Sequence, residues 1–203
     1  MLYCILDQDT LKGRAPYSVG EKIICSGADL IQIRNKCGLP KDILKLAGRL
    51  KSLCRHKGVK LIINDRLDLA LIADVDGLHI GQEDIPLKAA RKLLGKNKII
   101  GVSCHSLSQA LKAQGEGADY VSSGPVFATP TKPQYHPVGL GLVALAKKKL
   151  KIPFFAIGDI NLGNLKQVLA AGAENICVCR EVCLSRHPAR MVKKLKSILL
   201  AIQ

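Results

Sequence analysis

Short apolar runs and helical patterns alternate along the chain eight times, and this alternation limits the fold more than any other feature. Runs with strand character fall at residues 2–6, 30–34, 60–64, 77–80, 99–103, 120–123, 154–157 and 175–178. Helical patterns lie between them, most clearly at 40–56, 86–94, 106–115, 139–149, 162–171 and 186–202. In the first of these, Ile43, Leu44, Leu46, Ala47, Leu50 and Leu53 share one face, with lysines and arginines opposite. That is the 3.6-residue period of a helix packed on one side. Three segments repeat one grammar: SGADLIQIR at 26–34, EGADYVSSG at 116–124 and AGAENICVC at 171–179. Each ends a helix at a glycine (Gly27, Gly117, Gly172) and enters a strand. Glycine there takes the left-handed conformation that closes a helix. Connections this short force parallel strands with right-handed crossovers. A doubly wound open sheet alternates similarly, but eight even units of about 25 residues match the compact limit of a closed barrel. No G-x-G-x-x-G follows the first strand, so the dinucleotide-binding fold lacks its fingerprint. The expectation is an α/β fold, a single (β/α)8 TIM barrel over residues 1–203.

Composition narrows the function classes. No apolar run approaches the roughly 18 residues of a membrane helix. The opening MLYCILDQDT lacks a basic flank and a cleavage site and reads as a first strand. A cytoplasmic location is therefore expected. The eight cysteines form no C-x-x-C pair and share no metal-ligand spacing with a histidine, so buried reduced thiols are expected. The net charge of +15 is spread over helical segments such as Lys147, Lys148, Lys149 and Lys151, or Lys193, Lys194 and Lys196. Aromatics make up only 3% of the chain, and no recognition motif accompanies the charge. A solvated basic surface that attracts anionic small molecules is expected, with no nucleic-acid and no membrane partner. Self-association into a homo-oligomer is left open.

The polar residues gather at strand ends. In GPVFATPTK (124–132) an apolar run breaks at Gly-Pro and then offers Thr129, Thr131 and Lys132. Two hydroxyls and an ammonium without a nearby acid suit a phosphorylated ligand; a solvated turn with a surface lysine is the plain alternative. In LIQIRNK, Ile31 and Ile33 share the side that faces the helices. Gln32, Arg34 and Lys36 then point to the barrel interior and its C-terminal mouth. An Arg34 paired with a neighbouring acid is the alternative there. LIIND and HIGQED place Asn64, Asp65, Gln82 and Asp84 at the same rim. Asp65 and Asp84 suit a Mg²⁺ shared with ligand phosphates, or else cap helices opening near Arg66 and Pro86. GVSCH gives Ser103 and His105. No nucleophile elbow or Ser-His-acid order is visible, so Ser103 reads as a hydrogen-bonding group. His79, between Leu78 and Ile80, reads as a core histidine. Gly158, and the backbone near Cys179 and Arg180, suit a second phosphate.

Together these pieces resemble the thiamine-phosphate synthase family: Q-x-R-x-K at 32–36, IIND at 62–65, GQED at 81–84, GVS at 101–103, GPVFATPTK at 124–132 and AIG at 156–158. The resemblance implies transfer of a hydroxymethylpyrimidine group from its diphosphate to thiazole phosphate, with Mg²⁺, giving thiamine phosphate and pyrophosphate. It implies that Gln32, Arg34, Lys36, Asn64 and Lys132 hold the diphosphate, that Asp65 and Asp84 hold the metal, and that Ser103 contacts the pyrimidine. Arg34, Lys132 and Ser103 are the catalytic candidates. Thr129, Thr131, Gly158, Cys179 and Arg180 are the candidates for the thiazole phosphate. Two residues depart from the family pattern: Asp159 follows AIG where another glycine is usual, and Arg180 stands where serine is usual. Asp159 would weaken the second phosphate site unless it points away, whereas Arg180 would strengthen it. Two alternatives remain, a thiazole tautomerase-like isomerase and a non-catalytic thiazole-phosphate-binding barrel. The tautomerase carries a histidine after the sixth-strand glycine, where this chain has Pro125.

Overall fold

A computed structural model describes residues 1–131 and 134–201. Among the described residues, eight parallel strands close into a barrel in sequence order. They are β1 (Leu2–Asp7), β2 (Leu30–Arg34), β3 (Lys60–Asn64), β4 (Gly77–Ile80), β5 (Ile99–Cys104), β6 (Tyr120–Ser123), β7 (Phe154–Ile157) and β8 (Ile176–Val178). The seam is the β1–β8 pairing, with Leu2, Tyr3 and Cys4 opposite Ile176, Cys177 and Val178. Around the barrel lie α1 (Pro16–Ile24), α2 (Pro40–Lys57), α3 (Leu67–Ile72), α4 (Leu87–Leu94), α5 (Leu107–Gly115), α6 (Gly139–Lys149), α7 (Leu165–Ala170), α8 (Arg180–Cys183) and α9 (Pro188–Leu200).

Side-chain alternation along the strands divides the interior into two cores. Ile31, Ile33, Leu61, Ile63, Leu78, Ile80, Ile100 and Val102 face outward and pack in one cluster with the helices. Tyr3, Ile5, Leu30, Ile62, Tyr120, Phe155 and Cys177 fill the barrel itself. Tyr3 and Tyr120 each meet the Phe155 ring edge-on, at 5.3 Å between centroids. The longest helix, α2, shows why these segments fold as they do. Pro40 opens it, Gly58 closes it at φ +69, and Ile43, Ala47, Leu50 and Cys54 form its buried face. Burying a side chain of leucine size contributes roughly 1.5–3 kcal/mol. Gly27, Gly117 and Gly172 take positive φ, as their places in the repeat require.

The eight cysteines are free thiols. No helix among the described residues is long and apolar enough to cross a membrane.

Candidate active site

The inward residues at the C-terminal strand ends enclose one cavity, about 800 Å³ of empty space including its open mouth. Its floor is a buried hydrogen-bond chain built from five strands. Gln32 Nε2 donates to the Tyr3 hydroxyl at 2.6 Å, and Tyr3 and Tyr120 share a bond of 2.9 Å. The Tyr120 hydroxyl lies 2.9 Å from His79 Nδ1, and His79 Nε2 lies 2.9 Å from Ser103 Oγ. Burial pushes both tyrosines well above their ordinary pKa, so each hydroxyl keeps its one proton. An arrangement in which each hydroxyl donates once runs from Gln32 to Tyr3, from Tyr3 to Tyr120 and from Tyr120 to Nδ1, with the imidazole proton then on Nε2 facing Ser103. Ser103, accepting from His79, has its own proton available to the cavity. A Cβ at Gly101 would lie 2.0 Å from Tyr120 Cζ, so this ring crosses the floor only over a glycine. Gln32 Oε1 is buried and has no hydrogen-bond partner among the described residues.

At the rim, Arg34 is 8% exposed and is ion-paired with Asp7, which is 1% exposed and stands opposite it in the β1–β2 register. Asp7 Oδ2 also accepts from the Thr10 amide (3.0 Å) and hydroxyl (2.5 Å). The plain expectation for Arg34, a neighbouring acid, is thus met, while the guanidinium still lines the cavity. Asn64 lines it too. Asp65, at φ +60, follows directly, and its carboxylate lies 3.6 Å from Lys36 Nζ. Asp84 Oδ2 accepts from the Gly81 amide at 2.6 Å, and the residue lines a neighbouring cavity with Gln82. Gln82 Nε2 in turn donates to the Ser103 carbonyl at 2.5 Å. The residues at the N-caps of α3 and α4 are Arg66 and Pro86, so neither aspartate occupies the capping position that was its alternative.

The loop after β6 returns on itself, with Val138 and Gly139 amides donating to the Pro125 and Val126 carbonyls at 2.8 and 3.2 Å. His105 secures both its ends: Nδ1 lies 2.6 Å from the Gly124 carbonyl oxygen, and the ring stacks on Tyr135 at 4.0 Å. Thr129 and Thr131 line the cavity; Lys132 lies outside the described residues. Gly158 has φ +115, and a Cβ there would sit 2.5 Å from Pro125 Cα and from Val126 N. Only glycine lets the β7 end lie against the β6 loop. Cys179 and Arg180 complete the wall. The neighbouring Cys183 sulfur and burial push the Cys179 thiol up, and burial does the same for Cys177. Neither is a thiolate nucleophile at neutral pH. Arg180 Nε lies 3.6 Å from Asp159 Oδ1, so the two departures from the family pattern face one another.

Nine sequence-derived candidates therefore line one cavity: Gln32, Arg34, Asn64, Ser103, Thr129, Thr131, Gly158, Cys179 and Arg180. Lys36, Asp65 and Asp84 lie outside its lining. Sequence reasoning passed over Asp7, Tyr3 and Tyr120, and it read His79 as core although this residue lines the floor. The signal for Asp7 was present, since it continues the inward alternation of Tyr3 and Ile5. Among the described residues, no group of three or more His, Cys, Asp or Glu is placed to hold a metal. Asp65 and Asp84 carry hard oxygen donors of the kind Mg²⁺ takes, one or two from the protein with water and phosphate completing the shell.

A family model described as thiamine monophosphate synthase matches residues 2–182. The chain is 44% identical to a thiamine-phosphate synthase of Shouchella clausii over 186 residues, covering 91% of this chain and 89% of the relative. It is 40% identical to one from Chloroflexus aurantiacus, covering 100% and 94%. Among solved structures, a thiamine phosphate pyrophosphorylase from Pyrococcus furiosus superimposes with a TM-score of 0.90 at 32% identity, covering 99% of this chain and 96% of that one.

Proposed function

Because the chain belongs to the thiamine monophosphate synthase family, we propose that its cavity joins a hydroxymethylpyrimidine diphosphate to thiazole phosphate with the help of Mg²⁺, releasing pyrophosphate. The observation that carries this reading is the pairing, in one cavity, of an unpartnered buried acceptor, Gln32 Oε1, with the Arg34 guanidinium. The first suits the amino group of a heteroaromatic ring, and the second suits a diphosphate attached to it. An amide oxygen repels phosphate oxygens, so Gln32 reads the ring, whereas the sequence had suggested the diphosphate.

In the reaction, the bond between the benzyl-like carbon and the diphosphate oxygen breaks, and its electron pair leaves with the diphosphate. The thiazole nitrogen then bonds to the pyrimidine cation. Arg34 neutralises charge as it builds on the leaving group, and Lys36 and Lys132 are assigned to the same task. Asp65 and Asp84 are the residues that would hold Mg²⁺, which when bound supplies positive charge to the diphosphate oxygens. Ser103, aimed by His79, offers its proton to the pyrimidine substrate or the departing oxygen. Thr129, Thr131, Gly158, Cys179 and Arg180 hold the thiazole phosphate. The raised thiol pKa values agree with a route that needs no side-chain nucleophile.

The test is pyrophosphate release by the purified protein, with each substrate omitted in turn and with a chelator. Release that needs both substrates and returns when Mg²⁺ is restored is expected. Release with the pyrimidine diphosphate alone, or none at all, refutes the reading.

A further inference from the structure

We infer that Asp159 is a built-in competitor for the anionic end of the second substrate: its carboxylate holds Arg180 until a ring-borne phosphate displaces it. This rests on the function just proposed and adds a displaceable carboxylate to its second phosphate site. Asp159 follows β7 and Arg180 follows β8, so the two side chains meet across neighbouring strand ends, and both line the cavity. Their separation of 3.6 Å is an ion pair without a close hydrogen bond. The side chains are 39% and 37% exposed, and such pairs are weak because water screens them.

The backbones beneath are fixed by other bonds. The Asp159 carbonyl accepts from the side-chain amides of Asn161 and Asn164, both at 3.0 Å. Glu181, next to Arg180, accepts from the Leu162 amide at 3.2 Å. None of these bonds uses the Asp159 carboxylate or the Arg180 guanidinium. The charged heads can therefore exchange partners while both loops stay in place. A free phosphate or the pyrophosphate product gains Arg180 but meets the Asp159 charge. A phosphate carried on a thiazole also gains the apolar wall of Ile157, Ile160 and Pro125, which offsets the repulsion. Asp159 thus lowers the affinity of both, and the apolar wall decides which of them still binds.

The experiment is calorimetric titration of inorganic phosphate into the wild type, Asp159→Asn, Arg180→Gln and the double variant, run beside the thiamine phosphate assay. Asn tolerates the φ of +48 found at position 159, and Asp159→Gly, which tolerates it too, serves as a second charge-removing variant. Asp159→Asn should tighten phosphate by roughly three- to tenfold, the effect of one screened charge at ion-pair distance. It should lower the KM for thiazole phosphate by a similar factor, and the tightening should vanish in the Arg180→Gln background. Unchanged or weaker phosphate binding in Asp159→Asn and Asp159→Gly, or no measurable binding in any of the proteins, would overturn the inference. Equal tightening without Arg180 would overturn it too, by assigning the effect to diffuse charge. A wild type that forms no thiamine phosphate would refute the proposed function instead, and the phosphate titrations would still decide the role of Asp159.

Discussion

Replacing Asp7 by Asn tests the rim of the cavity most directly. Asp7 and Arg34 are both buried, and Asp7 also takes two bonds from Thr10. Asn keeps the shape, and if its oxygen still accepts from the Thr10 amide its NH2 faces the guanidinium, so both the charge and the hydrogen bond opposite Arg34 are lost. Breaking a buried pair by removing one partner costs about 3–5 kcal/mol. Arg34 borders an open cavity from which water can hydrate it, so a cost of about 2–3 kcal/mol is expected here. For a chain of this size each kcal/mol moves the Tm by about 2–4 °C, which places the fall at about 4–12 °C. The same change leaves Arg34 without its competing anion. Pyrophosphate should therefore raise the Tm of Asp7→Asn by more than it raises that of the wild type. Thermal unfolding of both proteins with and without pyrophosphate reads both effects. A Tm within about 1 °C of the wild type would refute the stability reasoning. Equal stabilisation of the two proteins by pyrophosphate would remove Arg34 from the diphosphate site.

Other perturbations address the floor, the metal and the buried acids. Tyr120→Phe removes the bonds to Tyr3 and His79, which should cost about 2–4 kcal/mol in urea unfolding and slow turnover by releasing His79 and Ser103; an unchanged kcat would show that the chain does not orient Ser103. Asp65→Ala should raise the Mg²⁺ concentration needed for half-maximal turnover by about tenfold or more, as loss of one of two carboxylate ligands implies. An unaltered Mg²⁺ titration would remove Asp65 from the metal site. Burial pushes Cys54 and Cys104 up to about 12 and lifts Tyr3, Tyr120 and Cys177 well above their ordinary values. A raised folded-state pKa on an acid that ionises to an anion means stability is full below the unfolded value and is lost above it. The urea midpoint should thus hold steady up to the ordinary thiol value of 9.0 and fall progressively beyond it; a midpoint that stays flat to about pH 11 would contradict the burial assigned to these groups.

The strands were legible to within a residue or so because inward and outward positions impose a period of two, and the three glycines of the repeat mark where β2, β6 and β8 begin. The helices were read less evenly, for physical reasons. Six residues in α3 and four in α8 are too few to establish a period of 3.6. In α1 the apolar face is interrupted by Gly20, where a Cβ would press on Leu6 and Leu50 at 3.1 and 3.2 Å. Packing against the barrel chose that glycine, and the chain on its own shows only a weak helix. Within the cavity, inward groups in the C-terminal half of a strand were visible as such, Gln32, Arg34, Asn64 and Ser103 among them. The floor was not. Tyr3 and Tyr120 are 117 positions apart and His79 and Tyr120 are 41 apart, so their shared hydrogen bonds exist only once the barrel closes.

The same geometry explains why residues with opposite apparent roles proved to be partners. In a parallel barrel the end of each strand lies beside the end of the next, so charges in consecutive units become neighbours despite the intervening helix. Asp7 with Arg34 joins β1 to β2, Lys36 with Asp65 extends from β2 to β3, and Asp159 with Arg180 spans β7 and β8. Each of these cations at the mouth has an acid from an adjacent unit. A phosphate that engages one of these three cations must therefore exchange with its carboxylate. The net charge of +15 draws anions from a distance through the helical surface, whereas their retention depends on how weakly each acid holds its cation. By that criterion the tightly buried Asp7–Arg34 pair and the loose, exposed Asp159–Arg180 pair should respond differently to anions. The Asp7–Arg34 pair should resist exchange, whereas the Asp159–Arg180 pair should yield to an arriving phosphate, as the phosphate titrations would read.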